Sequence, residues 1–136
     1  MRAITYLFFA GTCAEALQTY RDVIGAEIRS LVRFGDMPGA SSDAKDKVMH
    51  AELRIGDSTL FASDGQTAEQ SSGGYAISLQ ASDDAEAERL FAALSADGKI
   101  TTPLMTTPFA SRFGMTTDKY GVPWICLLYT SPSPRD

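Results

Sequence analysis

The sequence is poor in the residues from which metal and redox sites are commonly built. It has one histidine, His50, and two cysteines, Cys13 and Cys126, among 136 residues. Two isolated cysteines form neither a CxxC motif nor a zinc-ligand pattern, and one disulfide is unusual in a domain of this size. We therefore expect both cysteines to be reduced thiols.

Basic residues and long apolar runs are also scarce. The net charge is −5, from 12 Lys and Arg against 17 Asp and Glu. Because the basic residues form no cluster, the pattern argues against nucleic-acid binding. The apolar run at residues 6–10 is too short to cross a bilayer or to form a secretory signal. We therefore expect a cytoplasmic protein without membrane association.

The rest of the composition, 44% hydrophobic and 21% charged residues, is that of a globular protein. The length fits one ordinary domain with its own core, which we place at residues 1–125. Residues 126–136, CLLYTSPSPRD, differ in character from the rest. They resemble the translated read-through of a transposon-type sequencing adaptor; the alternative is a native, proline-rich, disordered C-terminus.

The first half of the sequence predicts one helix and four strands. The helix lies between Thr12 and Gly25, with Thr12 and Glu15 at capping-box spacing and Gly25 as the stop. Gly56 and Asp57 form a tight hairpin turn between the last two strands. A polar loop at residues 35–46 is expected to be the most mobile segment. The predicted strands are residues 4–9, 27–34, 47–55 and 58–62.

The same pattern returns in the second half. A strand at residues 75–80 precedes Asp83 and Glu86, which repeat the spacing of the first helix cap at an offset of 71 residues, and Gly98 is the predicted helix stop. The tripeptide at residues 119–121 repeats the hairpin at residues 54–56. The chain is therefore interpreted as two strand-helix-three-strand modules, residues 1–66 and 72–125.

Six segments carry a family pattern: YLFF (6–9), FGDMP (34–38), VMHAEL (48–53), FASD (61–64), RFGM (112–115) and DKYGVPW (118–124). Together with the duplicated modules, they resemble the glyoxalase/bleomycin-resistance/dioxygenase (vicinal-oxygen-chelate) superfamily, and specifically its PhnB-like branch, also labelled demethylubiquinone methyltransferase-like. The resemblance implies an α+β fold in which two tandem βαβββ modules form a curved mixed sheet with helices outside. It also implies a concave cleft for a small-molecule ligand, and a homodimer.

The third strand carries the candidate catalytic residues. Alternation places Met49, Ala51, Leu53 and Ile55 towards the helices, and Val48, His50, Glu52 and Arg54 on the concave side. His50 is then a general base oriented by Glu52, or a hydrogen-bond partner of a polar ligand. The alternative is that His50 is a satisfied polar residue of a wet cavity and Glu52 a solvated strand residue.

Five further residues are candidate ligand contacts. Tyr6, Phe113, Met115 and Trp124 either line an aromatic pocket or belong to the core. Arg112 either pairs with an acidic group of the ligand or is a surface cation. Cys13, in the first helical turn, is either a thiol whose pKa is lowered by the helix N-terminus or an inert packing residue.

The resemblance also locates the divalent-metal site of the superfamily enzymes, and this sequence departs from it. The corresponding positions are near Thr5, Leu60, Gly74 and Ile125, none of which can coordinate a metal as His or Glu would. A relocated site at His50 and Glu52 would have only two ligands. We therefore expect no metal and no other cofactor.

Two functions remain open at this point. The first is a metal-free protein that binds a small molecule, as bleomycin-resistance relatives do. The second is an enzyme, either a metal-dependent lyase or dioxygenase-type member of the superfamily or a cofactor-free catalyst that uses His50. The methyltransferase label finds no support in the residues, because no glycine-rich nucleotide loop of the Rossmann type is present.

Overall fold

In a computed structural model of the chain, residues 1–36, 38–39, 44–65 and 74–130 are described. A short 3-10 helix spans Phe34–Asp36. The helices and strands are, in order, β1 (Tyr6–Phe9), α1 (Cys13–Ile24), β2 (Glu27–Arg33), β3 (Val48–Ile55), β4 (Ser58–Asp64), β5 (Ile77–Gln80), α2 (Asp84–Ser95), β6 (Lys99–Met105), β7 (Ala110–Thr117) and β8 (Pro123–Tyr129).

The chain divides into two compact units, Met1–Gln70 and Ser71–Asp136. Within the described residues, each unit has one α-helix and a four-stranded mixed sheet, in the order β1-β4-β3-β2 in the first unit and β5-β8-β7-β6 in the second. In each sheet the first strand pairs in parallel with the last, and the other neighbours are antiparallel. The predicted α+β fold of two βαβββ modules is therefore confirmed.

The first unit buries the apolar set predicted by strand alternation. Ala51 and Leu53 are completely buried, as are Leu17 and Tyr20 of α1, whereas the strand ends at Met49 and Ile55 are half-buried. Val48 departs from the pattern, because it is also completely buried although alternation assigns it to the opposite side. The β2–β3 ladder shifts register next to this residue, which perturbs the alternation there.

The cap of α1 is built differently from the prediction. Thr12 makes no side-chain cap hydrogen bond. Instead, Oδ1 of Asp64, at the end of β4, accepts hydrogen bonds from the backbone N–H groups of Gly11 (2.8 Å) and Cys13 (3.0 Å). A carboxylate is a stronger acceptor than a hydroxyl, and it is favoured by the positive end of the helix dipole. The predicted Thr12 cap is therefore wrong.

The cap of α2 follows the prediction. Asp83 accepts a hydrogen bond from the backbone N–H of Glu86 at 2.7 Å. The Glu86 carboxylate reaches back to the backbone N–H of Ser82 at 2.9 Å, which is one residue before the cap. This is the reciprocal arrangement of a capping box, displaced by one position.

The two helices end for different reasons. Gly25 adopts a left-handed conformation with φ of 74° and ends α1, as predicted. The second helix ends at Ser95, before the predicted stop at Gly98, and Asp97 takes the positive φ of 58°. Gly98 serves a different purpose, because a Cβ atom there would overlap the carbonyl oxygen of Thr117.

Three further predictions concern the loop that follows β2, the end of the chain and association with a membrane. Much of the loop predicted to be mobile, residues 37 and 40–43, lies outside the described residues. Strand β8 continues through Tyr129, with Cys126 and Leu127 buried; the adaptor origin of residues 126–136 stays a prediction. Among the described helices, none has the length and apolar character needed to span a membrane.

Candidate functional site

The first sheet has a side that faces away from α1, and strand register shows which residues lie on it. Asp64 bonds to the start of α1, so Leu60 and Ala62, at even spacing from it, share the helix side. Phe61 therefore points to the other side, together with its register partners Tyr6 on β1 and Glu52 on β3. We call this helix-free side the first face; its site residues are Tyr6, Phe8, His50, Glu52 and Phe61.

An aromatic cluster with one polar centre occupies the first face. Tyr6 Oη and His50 Nδ1 share a hydrogen bond of 2.8 Å. The Tyr6 ring stacks on Phe8 at 4.8 Å between centroids, and the Phe61 ring lies 5.0 Å from the His50 ring. Tyr6 and Phe8 remain 38% and 56% exposed, so part of the aromatic surface of this stack is accessible to solvent.

Glu52 lies beside this cluster, on the same strand as His50 and opposite Phe61. Its side chain is half-buried and has no hydrogen bond or ion pair with any residue in the described ranges. Two cations occupy the adjoining end of the face. The exposed Arg54 donates to the Gly56 carbonyl at 3.0 Å, and the exposed Arg2 donates to Thr59 Oγ1 at 3.2 Å.

The second sheet has a corresponding helix-free side. A Cβ atom on Gly114 would lie 2.7 Å from Cε1 of Phe91 in α2, so Gly114 faces the helix. Its neighbours Phe113 and Met115 therefore point away from α2, together with their β8 partners Leu127 and Ile125. We call this side the second face; its residues are Ser78, Gln80, Phe113, Met115, Ile125 and Leu127.

The two faces are built on strands in the same order. On the helix-free side, strand register aligns Tyr6, Phe61 and Glu52 in one row of the first sheet, and Ser78, Ile125 and Met115 in one row of the second. The predicted residues His50, Glu52, Phe113 and Met115 therefore lie on the helix-free sides of their sheets. Among the residues named for the two faces, the imidazole and the carboxylate belong to the first.

Two predicted ligand contacts lie on the helix side of the second sheet. Nη2 of Arg112 is 3.6 Å from Asp84 and 3.3 Å from Glu88, both on α2, so its charge is already paired. Trp124 is completely buried, and its Nε1–H donates to Asp118 at 2.8 Å. The structure brings neither residue together with Phe113 and Met115, and it favours the core interpretation for Trp124.

The positions aligned with the superfamily's metal ligands do not form a suitable donor set. Leu60 is buried on the helix side of β4, so the residue presented on the first face is the next one, Phe61. Ile125 occupies the corresponding position on the second face. Within the described parts of the chain, no group of three His, Cys, Asp or Glu side chains is placed to hold a metal ion. The residues present therefore do not fit the family's metal.

The two cysteines are packing residues with suppressed acidity. Both are free and completely buried. Burial raises the pKa of Cys13 to about 12, and the nearby Asp64 carboxylate adds to the increase. Burial also raises the pKa of Cys126 to about 11. The predicted alternative of a lowered Cys13 pKa at the helix N-terminus is therefore wrong, because desolvation outweighs the helix dipole.

We expect neither thiol to react with 5,5′-dithiobis(2-nitrobenzoate) in the native protein at neutral pH, and both to react in urea. A pKa shift from 9.0 to about 12 lowers the thiolate fraction of Cys13 roughly a thousandfold. The unfolded state releases this proton near pH 9 and the folded state only near pH 12. The Cys13 contribution to stability is therefore present below pH 9 and is lost between these values.

The control for this experiment is Cys13→Ala, which should lose one of the two thiols titrated in urea and should flatten the alkaline decline in the free energy of unfolding. Rapid native labelling that disappears in Cys13→Ala would contradict the assignment of Cys13 as an inert residue.

Sequence reasoning missed Phe8 and Phe61 as members of the face. The sequence alone could have indicated Phe8, because residues i and i+2 of a strand share a side and Tyr6 was already a candidate. The sequence could not have indicated Phe61, because only the pairing of β4 with both β1 and β3 brings its ring next to Tyr6 and His50.

Comparison with known proteins agrees with this architecture. Residues 1–127 match the sequence profile of the 3-demethylubiquinone-9 3-methyltransferase family. Protein YjdN of Escherichia coli (strain K12) is 34% identical over 132 residues, covering 88% of this chain and 90% of that protein.

Solved structures extend the comparison. Protein PA1353 from Pseudomonas aeruginosa is 40% identical, with a TM-score of 0.86 over 95% of this chain and 98% of that one. The PhnB protein from Bacillus cereus is 27% identical, with a TM-score of 0.81 over 94% and 99% of the two chains. The fosfomycin-resistance protein FosX from Listeria monocytogenes shares the fold alone, at 11% identity and a TM-score of 0.67 over 99% and 95% of the chains.

Proposed function

Because the chain belongs to the 3-demethylubiquinone-9 3-methyltransferase family, the PhnB-like branch of the vicinal-oxygen-chelate superfamily, we propose that it binds a small molecule on the first face. The observation that carries the proposal is the 2.8 Å hydrogen bond between Tyr6 and His50 inside a partly exposed aromatic cluster. Binding sites for small molecules typically combine such apolar surface with a few positioned polar groups.

The hydrogen bond orients His50 for a ligand. Since Nδ1 is occupied by Tyr6, the other ring nitrogen, Nε2, is the one available; it has no hydrogen bond to a described residue. The tautomer decides whether Nε2 donates or accepts. In either form the imidazole offers one directed hydrogen bond at the edge of an apolar surface, which is the minimum needed to orient a planar ligand.

The proposal does not include the metal chemistry of distant relatives. The FosX protein of Listeria monocytogenes was solved with Mn(II) and 1S,2S-dihydroxypropylphosphonic acid. The alternative function, a metal-dependent lyase or dioxygenase-type enzyme, would need such a site, and the donor set found here does not match one. A family name that mentions methyl transfer does not assign that reaction, because chemistry depends on the site rather than on the fold.

Titration with quinoline tests the proposal, since quinoline is a neutral planar aromatic with one hydrogen-bond acceptor. We expect shifts of the backbone amide signals of β1, β3 and β4 in two-dimensional NMR spectra. Tyr6→Phe should weaken binding about five- to tenfold, because it removes one hydrogen bond and frees the imidazole to rotate. His50→Phe removes the imidazole nitrogens while keeping an aromatic ring, and should weaken binding at least as much.

Tyr129→Phe is the matched control, since it removes a hydroxyl from a tyrosine that is 55% exposed on β8. Its quinoline affinity should equal that of the wild type. Absence of quinoline-induced shifts in β1, β3 and β4, or equal weakening by Tyr129→Phe, would refute the proposal.

The expected homodimer is likewise a proposal, which sedimentation equilibrium tests directly.

A further inference from the structure

We infer that the ligand of the first face is an aromatic cation, in which a planar ring lies against the exposed side of the Tyr6–Phe8 stack and a positive charge lies against Glu52. The inference rests on the proposed function and specifies in addition that the ligand is positively charged. Four observations carry it.

The first observation is the state of Glu52. The Glu52 side chain is half-buried, lies opposite Phe61 in the strand register, and has no hydrogen bond or ion pair within the described part of the chain. A partly buried polar group is stabilised by a hydrogen-bond donor or an opposite charge. A cationic ligand supplies such a charge at the position where the protein itself does not.

The second observation is the type of surface next to the carboxylate. Tyr6 and Phe8 stack with an interplanar angle of 13°, and the Phe61 ring stands edge-on to Tyr6 at 65°. The face of an aromatic ring carries negative electrostatic potential and attracts cations. Aromatic rings and a neighbouring carboxylate therefore favour the same sign of ligand charge.

The third observation is the comparison with the second face. Strands β7 and β8 present Phe113, Met115, Ile125 and Leu127 on the helix-free side, and none of these side chains carries a charge. The two modules share strand order, so a carboxylate on this side of the sheet is not required by the fold. Its presence on the first face is consistent with a ligand-specific role.

The fourth observation concerns the competing cations. Arg54 lies two residues from Glu52 on the same side of β3, and Arg2 bonds to Thr59, the β4 partner of Arg54; each arginine is exposed and already donates to a protein oxygen. Neither forms an ion pair with Glu52 within 4.0 Å. Since the chain as a whole carries a net charge of −5, its long-range field also attracts cations.

The test compares three probes of similar shape on the full chain: 1-methylquinolinium, neutral quinoline and anionic 2-naphthoate. Affinities come from calorimetric titration at low salt, and the binding position comes from backbone amide shifts. We expect 1-methylquinolinium to bind about fivefold or more tightly than quinoline, and 2-naphthoate to bind more weakly than quinoline.

Charge variants assign the effect to Glu52. Glu52→Gln should reduce the affinity for 1-methylquinolinium about fivefold and leave quinoline nearly unchanged. Arg54→Gln should leave the cation as tight as before or tighter, because it removes a like charge. Asp22→Asn is the matched control; it removes the same charge from the exposed surface of α1 and should not alter the affinity.

The outcomes separate the two proposals. Quinoline binding on the first face without a preference for the cation, or tighter binding of 2-naphthoate that Arg54→Gln abolishes, overturns the inference and leaves the proposed function in place. Failure of all three probes to shift the amides of the first face overturns both. Equal losses in Glu52→Gln and Asp22→Asn would attribute the preference to net charge and would also overturn the inference.

Discussion

Asp64→Ala is expected to destabilise the protein by about 3 kcal/mol or more, because each buried donor left without a partner costs about 1–3 kcal/mol. The carboxylate is only 3% exposed and accepts three backbone hydrogen bonds. Oδ1 binds the N–H groups of Gly11 and Cys13, and Oδ2 binds that of Val48 at 2.8 Å. The substitution therefore removes the cap of α1 and the anchor of β3 at the same time.

Urea denaturation followed by far-ultraviolet circular dichroism measures this effect. Asp64→Asn should cost less, since the amide oxygen still accepts while its NH2 group opposes one backbone donor. Asp22→Ala, on the exposed surface of α1, should lie within about 0.5 kcal/mol of the wild type. A loss below about 1 kcal/mol for Asp64→Ala would contradict the assignment of Asp64 as the principal cap.

Trp124→Ala is expected to cost about 3–5 kcal/mol, because it leaves a large cavity in the core of the second unit. Trp124→Phe keeps an aromatic ring in the core but removes the indole N–H together with part of the ring volume. Asp118 accepts from the indole N–H, and also from the backbone N–H groups of Tyr120 and Val122. Loss of the indole bond alone should cost about 1–2 kcal/mol.

Tyr129→Ala provides the comparison, since Tyr129 is an aromatic residue of the same strand that is 55% exposed. Its substitution should cost far less than Trp124→Ala, as measured by urea denaturation with circular dichroism. Because Trp124 is also a predicted pocket residue, quinoline affinity should be measured for Trp124→Phe. Unchanged stability together with lost binding would favour the pocket interpretation over the core one.

Local patterns in the sequence predicted most of the fold. Duplicated caps and apolar stripes predicted two modules, and the sheets share one strand order. Alternation along β3 correctly separated Ala51 and Leu53 from His50 and Glu52. These predictions succeeded because helix periodicity and strand alternation depend on neighbours a few residues away. The adaptor interpretation of residues 126–136 remains a prediction.

Predictions that depended on distant partners were less successful. The Thr12 cap was wrong because the acceptor comes from Asp64, far along the chain. Arg112 was a candidate for an acidic ligand, but its guanidinium lies beside two carboxylates of α2. The expectation that Cys13 could be activated considered the helix terminus and not the desolvation that raises its pKa.

The sequence by itself determined the two modules, the type of each element and the alternation that places His50 and Glu52 on one side of β3. Tertiary structure alone decided that Tyr6 bonds to His50, that Phe61 lies next to both of them, and that Trp124 is core. The physical reason is the distance along the chain between the residues on which each property depends. Periodicity is a property of consecutive residues, whereas cross-strand register and desolvation exist only after segments remote in the chain have been brought into contact.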